Sequence, residues 1–502
     1  MKNYLVFETD NKNKYIFDNS TGYTIPYSEC LIKLVNIDNG KYSIEELLKK
    51  MKECTKQNNR KINSVVSEYF ELKNQGFFCE YPRDYIKGKE DYYLNLYNSN
   101  SSQLLLIVTG KCNLRCKYCV YSDEYIDTIT YSDEDMTFDI AKLSINDYMS
   151  IYNEKYKRGY NKAPVINFYG GEPLCNFDLI KECVEYSQKE YKTSIDYYIT
   201  TNGLLLNNEI IEFLIRNNFR VTISLDGDKK NHDRNRITSG GRKTHDEILS
   251  NIKLYAKKHQ EYENTKSVLS FNCCFDDCTS PNDIINFFEN NNIVNAIGKF
   301  VFFSQINPYG TTYYEKCEEE YNEGKVNYKP GTWQQEVKSL EEQFISDLKD
   351  GKKISEIKKS FFMNYYFYKN RHIGPSGFLY NSCLPGSKIA VNGKGEYFLC
   401  ERVCEKYSIG NVKSGLDWNR ISLLFDKYNH IRQLYCSDCN CSKMCQLCFM
   451  HMIEDNSGDV NFNKSYCKNT KEYVPQMLSK LYSILEKNNT AMEGELLYGQ
   501  DV

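Results

Sequence analysis

Residues 112–119 read Cys112-Asn-Leu-Arg-Cys116-Lys-Tyr-Cys119, three cysteines within eight residues at the spacing C-x3-C-x2-C. A run of strand-type residues, Leu104 to Val108, leads directly into them. A structural zinc site normally draws on cysteine pairs and a fourth ligand nearby, which this loop lacks. Three thiolates on one short loop can instead hold three irons of a cubic iron–sulfur cluster. The fourth iron then has no protein ligand and is a place for chemistry, not only for electron storage.

Composition supports a metal role. The chain holds 21 cysteines in 502 residues, and they are clustered, as a generic burial role would not require. Its first ten residues carry acidic side chains where a signal peptide needs a long apolar run. No stretch has the apolar length to span a bilayer. The protein is therefore expected to be cytoplasmic, where cysteines serve metal sites more than disulfides. A net charge of −3 argues against a nucleic-acid surface. A chain of 502 residues is too long for one core, so several domains are expected.

Residues 1–80 read as a small, winged-helix-like α+β domain. Strands are expected at Tyr4–Phe7, Lys14–Phe17 and Tyr23–Tyr27. Helices follow through Cys30–Val35, over Leu47–Met51 behind the capping pair Ser43 and Glu46, and over Ile62–Leu72. Gly76 should stop the third, and Phe77–Tyr81 is predicted as a closing strand. Residues 81–100, polar and rich in Tyr and Asn, read as a linker. From 101 to 305 strand–helix units repeat, with strands predicted at Leu104–Val108, Pro164–Tyr169, Ile195–Thr200, Arg220–Leu225, Val268–Cys273 and Lys299–Phe303. Six such units give an α/β fold, a partial (β/α)6 TIM barrel, with function at the C-terminal strand ends. Residues 306–375 read as a helical bridge, 376–470 as a cysteine-rich domain, and 471–502 as a last helix, Glu472–Leu485, with a frayed tail.

Polar motifs stand where the strands end. Gly170-Gly171-Glu172-Pro173 follows the second barrel strand. Its glycines permit close approach of backbone to a ligand, and its Glu adds a fixed negative charge. Asn202, Ser224 and Asp226 are polar groups at the barrel mouth, suited to ribose hydroxyls or a carboxylate, although Asn-Gly and Asp-Gly are also standard turn formers. Arg236 follows shortly after. A second set of cysteines comprises Cys383, Cys400, Cys436, Cys439, Cys445, Cys448 and Cys467; spacing alone would suggest local pairs, as in a zinc ribbon. Glu401, directly after Cys400, is either an acid/base group or a surface carboxylate paired with Arg402 or Lys406. Other cysteines, among them Cys273 and Cys274, read as small core residues or free thiols.

The Cys112–Cys119 loop, with Tyr118 before its last cysteine and Gly-Gly-Glu-Pro one unit later, resembles the radical S-adenosylmethionine (SAM) superfamily. The resemblance implies a 4Fe–4S cluster on Cys112, Cys116 and Cys119 whose open iron chelates SAM. It implies cofactor contacts from Tyr118, Gly170, Gly171, Glu172, Pro173, Asn202, Ser224, Asp226 and Arg236. It also implies a 5′-deoxyadenosyl radical that abstracts a substrate hydrogen. The C-terminal cysteines resemble the SPASM domain, which carries two auxiliary 4Fe–4S clusters and brings the total to three. By motif order Cys383, Cys400 and Cys448 match the first auxiliary cluster, and Cys436, Cys439, Cys445 and Cys467 the second. Two residues, not the usual three, precede Cys448. No cysteine lies within 371–382, so the first auxiliary cluster is expected to keep an open iron unless Cys404 or Cys441 fills the place.

Residues 1–80 resemble the precursor-recognition domain of peptide-modifying enzymes, in which a leader peptide adds to the sheet edge as an extra strand. The whole therefore resembles a maturase of ribosomally made, cysteine-containing peptides, with the leader on residues 1–80 and the core in the barrel. The Cys400–Val403 region looks most like thioether-forming maturases, which make sactipeptides or ranthipeptides. An external electron donor such as flavodoxin or ferredoxin is implied, with no nucleic acid and no membrane. Carbon–carbon crosslinking, epimerisation and formylglycine-type oxidation are the other radical outcomes. A zinc-binding peptide adaptor is the non-enzymatic alternative.

Overall fold

The computed structural model describes residues 3–38, 40–79, 103–125, 129–308, 310–370, 388–402, 407–447 and 464–493. Cys383, Cys404, Cys448, Lys406 and the linker 81–100 lie outside that set.

Strands β1 (Tyr4–Glu8), β2 (Lys14–Asp18) and β3 (Thr24–Pro26) form an antiparallel sheet in that order. Helices Glu29–Ile37, Ile44–Cys54 and Asn59–Asn74 bury Leu31, Leu34, Leu47, Met51, Ile62, Val65 and Tyr69 in a core shared with Tyr4 and Ile16. The second helix opens on a reciprocal capping box between Ser43 and Glu46. The strand expected from Phe77 does not form in its described part. Gly76 has φ +90° and Phe78 φ +55°, so the chain reverses and turns both phenyl rings into the core. The Phe78 N–H donates instead to Asp18 Oδ1 at 2.9 Å.

The main sheet holds six parallel strands in chain order: β4 (Gln103–Thr109), β5 (Val165–Gly170), β6 (Asp196–Thr201), β7 (Arg220–Ser224), β8 (Val268–Phe275) and β9 (Gly298–Gln305). Helices between them form the crossovers of a partial TIM barrel. Alternation sets the layers. Ile166, Phe168, Tyr197 and Ile199 are buried with Ile180, Val184 and Ile211 of the helices, while Asn167, Tyr169, Tyr198 and Thr200 point to the opposite face.

The outer edge of β4 is covered too. β10 (Lys388–Val391) pairs with it in parallel, Ala390 opposite Leu105, and β11 (Glu396–Phe398), β12 (Gly410–Asn411) and β13 (Gly415–Leu416) continue antiparallel. Part of the cysteine-rich segment is thus built into the barrel sheet, which closes an edge that would otherwise expose unpaired backbone. The last helix, Lys464–Lys487, begins before the predicted Glu472 and so carries Cys467. Its Val474 and Leu478 pack on Phe7 and Phe17 of the N-terminal hairpin. Among the described residues no helix is long and apolar enough to cross a membrane.

Candidate active site

β4 hands the chain to the Cys112–Cys119 turn, which is fixed from below. Leu114 is fully buried, the Arg115 N–H donates to the Ile237 carbonyl at 2.8 Å, and the Lys117 N–H donates to that of Asn235 at 3.1 Å. Arg115 turns back to donate to the carbonyls of Cys112 and Leu114, both at 2.7 Å. Cys112, Cys116 and Cys119 thereby gather in one patch with Leu114 and Tyr118. Burial, reinforced by Glu172, pushes the Cys112 thiol up to about 12. Burial also pushes Cys116 up to about 12, against the pull of Arg236. Such thiols ionise when a metal takes their protons' place.

The Gly-Gly-Glu-Pro turn abuts these cysteines. The Gly171 N–H donates to the Thr109 carbonyl at 3.0 Å and the Glu172 N–H to that of Lys111 at 2.8 Å. A Cβ on Gly170, at φ +147°, would stand 2.4 Å from the Thr109 oxygen, and one on Gly171 2.3 Å from the Lys111 oxygen. The close approach that demands glycine is therefore to the cysteine turn's own backbone. Glu172 is buried and engages both oxygens within the protein. One accepts from the Thr201 hydroxyl at 2.6 Å and the Leu174 N–H at 3.1 Å, the other from the Asn202 N–H at 2.7 Å. Burial raises its pKa despite these donors. Pro173 starts the short 3-10 turn that follows. The Asn202 amide donates to Asn113 Oδ1 at 2.7 Å and lies 4.0 Å from Cys112 Sγ.

On the far side Ser224 closes β7, level with Asn272 of β8. Asp226 accepts from the Tyr118 hydroxyl through one oxygen and from the Cys274 N–H at 3.0 Å through the other. Arg236 Nη1 donates to the same Tyr118 hydroxyl at 2.8 Å. Among the described residues Arg236 Nε is buried with no hydrogen-bond partner, and Cys116 is among its electrostatic neighbours. A buried guanidinium N–H without an acceptor, beside a cysteine cluster, fits a negatively charged group seated there.

The C-terminal segment reaches the same mouth. Pairing of Ala390 with Phe398 carries Lys388 level with the Cys400–Glu401 turn. Glu401 is 9% exposed and faces Lys388 Nζ at 3.4 and 3.5 Å. Burial would raise its pKa, but Lys388 and Arg402 outweigh burial and hold the carboxyl below its usual value. Glu401 lies within electrostatic reach of Tyr121 and Tyr169, and Arg402 of Tyr169 and Cys274. Lys388, Tyr121, Tyr169 and Cys274 were not singled out from the sequence. Cys274 had a signal, since it stands near the C-terminal end of a barrel strand; its neighbour Cys273 is a fully buried core thiol.

Cys436 ends the helix Trp418–Cys436, Cys439 and Cys445 follow in the loop, and Cys467 comes from the last helix. All four line one cavity with Arg432 and Lys471. Around a tetrahedral zinc, thiolates at ~2.3 Å from the metal would sit about 3.8 Å apart. Among the described residues only Asp276, Asp277 and Cys278 place three ligand atoms within 4.8 Å of one another. Asp276 is already paired with Arg234 at 2.7 Å. Neither cysteine set brings three sulfurs that close together among the described residues. Cys441 is buried 3.9 Å from Cys439, beside the second set.

The sequence profile described as the Radical SAM superfamily matches residues 106–269, from β4 into β8. The chain carries a radical SAM domain. Such a domain implies SAM and a 4Fe–4S cluster; the gathered thiols of Cys112, Cys116 and Cys119 suit the cluster, and Arg236 Nε, without a hydrogen-bond partner among the described residues, suits a negatively charged group. The protein is 29% identical over 276 residues to the radical SAM cyclopropyl synthase TigE of Paramaledivibacter caminithermalis, a match covering 52% of this chain and 56% of that one. It is 24% identical over 396 residues to a cysteine-type anaerobic sulfatase-maturating enzyme of Clostridium novyi, covering 76% of this chain and 96% of the relative. The fold resembles that of native anSMEcpe with bound AdoMet and Cp18Cys peptide, with a TM-score of 0.52 and 20% identity over 76% of this chain and 99% of the other.

Proposed function

We propose that this radical SAM protein is a maturase that joins a cysteine sulfur to a carbon within a ribosomally made precursor peptide. The observation that carries this reading is that a buried carboxylate, Glu401, arrives from the cysteine-rich segment onto the mouth that holds the Cys112–Cys119 turn. SAM and its cluster, when bound, supply a 5′-deoxyadenosyl radical. Cys112, Cys116 and Cys119 would hold that cluster, with Asn202 and Arg236 beside it, and Tyr118 and Asp226 bracing the turn from beneath.

Thioether formation removes two hydrogens from the peptide, one as an atom and one as a proton plus an electron. Glu401, kept ionised by Lys388, is the acceptor for the thiol proton. The cavity of Cys436, Cys439, Cys445 and Cys467, and the set Cys383, Cys400 and Cys448, would house auxiliary 4Fe–4S centres suited to the electron. A flavodoxin- or ferredoxin-type donor in the cytoplasm would supply the reducing equivalents. The leader would add to β3, because of the sheet's two edge strands among the described residues β1 packs against the last helix.

The test is anaerobic incubation of the reconstituted enzyme with SAM, a reductant and a cysteine-containing precursor. Loss of two hydrogens, with sulfur retained but no longer alkylated by iodoacetamide, is the expected product. The near-complete coverage of the C. novyi relative favours a second reading, oxidation of a protein cysteine. Loss of the sulfur from the product would establish that instead. Absence of 5′-deoxyadenosine would sink both.

A further inference from the structure

We propose that the N-terminal domain completes the second cysteine site, with Asn19 as its positioning residue. Asn19 follows β2 and is fully buried. Its amide nitrogen donates to the Cys439 carbonyl at 2.9 Å and to Ser442 Oγ at 3.0 Å, and its Oδ1 accepts from the Lys443 N–H at 2.9 Å. These contacts bracket residues 439–443, the loop between two of the four cysteines that line the cavity. The loop's own bonds are short-range turns, Cys439 N–H to the Cys436 carbonyl and Met444 N–H to that of Cys441. Asn19 thus supplies a long-range anchor from another part of the chain, beside the Tyr368 hydroxyl, which donates to the Met444 carbonyl at 3.4 Å.

Asn19 is itself held. Its backbone N–H donates to the Asn3 carbonyl at 3.0 Å and Asn3 Oδ1 lies 2.8 Å from its side-chain nitrogen, whose two hydrogens the three neighbouring acceptors share, while Asn3 donates to the Cys79 carbonyl at 2.8 Å. Beside it, Asp18 accepts from the Phe78 N–H. A hydrogen-bonded path thus runs from Cys79, in the segment that follows the helix Asn59–Asn74, through Asn3 and Asn19 to the cysteine loop. Groups that orient ligand-bearing segments are as necessary to a metal site as the ligands. By linkage, whatever shifts the N-terminal domain biases that site, and the site biases the domain.

The inference rests on the reading of these cysteines as an iron–sulfur site, and its test needs no peptide. In full-length protein carrying Cys112→Ala, Cys116→Ala and Cys119→Ala, reconstituted anaerobically, iron, sulfide and the midpoint of the remaining electron paramagnetic resonance signals are measured. Adding Asn19→Ala should lower iron from about eight towards about four per chain, or speed its release to a chelator about 10–100-fold with a shifted midpoint. Ser442→Ala, outside the N-terminal domain, should act in the same direction, and the double variant should be no worse than Asn19→Ala alone. Unchanged iron, release and midpoint in Asn19→Ala overturn the proposal. If that variant misfolds its own domain, an unchanged Ser442→Ala overturns it equally. A background protein without iron would refute the cluster reading first, and this proposal with it.

Discussion

At Glu401 burial and charge oppose each other. Burial favours the protonated acid, yet Lys388 and Arg402 hold the carboxyl below its usual value. A proton acceptor must be ionised, so the acidic limb of the rate profile should lie below the ordinary glutamate range. Lys388→Ala removes the leading cause of that depression and should move the limb to higher pH, read as initial rates of peptide product across pH. Glu401→Gln should cut product about 10²–10⁴-fold while 5′-deoxyadenosine is still released. Undiminished product in Glu401→Gln would assign the proton elsewhere. The sequence pointed to Glu401 because it follows Cys400. It could not point to Lys388, 13 residues away, because only the β10–β11 register brings the two together. Asp226 and Glu172 teach a similar lesson. A strand-end motif locates a carboxylate at the mouth, but that both oxygens serve Tyr118, Cys274, Thr201 and Asn202 emerges only from packing.

Among the elements, the six strand–helix units were legible because each repeats a local pattern of an apolar strand, a polar turn and an amphipathic helix. β10 was not, since four residues carry no such pattern and its partner β4 lies across most of the chain. The glycines of the second unit show how tightly the strands constrain the site. Because a Cβ at Gly171 would press on the Lys111 carbonyl at 2.3 Å, Gly171→Ala should displace the cysteine turn. Iron bound by residues 112–119 should then fall, while that of the C-terminal cysteines stays. Retention of all iron would show that the turn yields without cost. The proposed leader edge makes its own prediction. Thr24 faces away from β2 and Pro26 has no N–H, so Thr24 holds the outward donor of β3. Thr24→Pro should weaken leader binding about tenfold, the cost of one backbone hydrogen bond. Titration of a labelled leader would measure it, and unchanged affinity would place the leader elsewhere.

Across the whole molecule, the β1–β2 hairpin is joined to the helix Lys464–Lys487. Glu486, near the end of the last helix, accepts from Thr9 Oγ1 at 2.9 Å, Asn11 Nδ2 at 2.8 Å and the Tyr15 hydroxyl at 2.9 Å. One turn earlier Ser483 Oγ receives the Asp10 N–H at 3.0 Å, and Ser479 Oγ donates to the Glu8 carbonyl at 2.6 Å. The helix thus carries Cys467 at one end and grips the N-terminal hairpin along the rest. Burial raises the Glu486 pKa, but these donors prevail and lower it. A group with a depressed folded pKa stabilises above its unfolded value and loses that contribution as pH falls through the folded one. Docking should therefore hold at neutral pH and loosen only below the ordinary glutamate range. Hydrogen bonds to a charged acceptor are worth about 1.5–3 kcal/mol, so Glu486→Ala should speed amide exchange in residues 4–18 roughly ten- to a hundredfold. Exchange in β4–β9 should be unaffected. If β1 and β2 instead exchange as slowly as before, the apolar contact of Phe7 and Phe17 with Val474 and Leu478 holds the domain by itself, and the polar contacts serve register rather than stability.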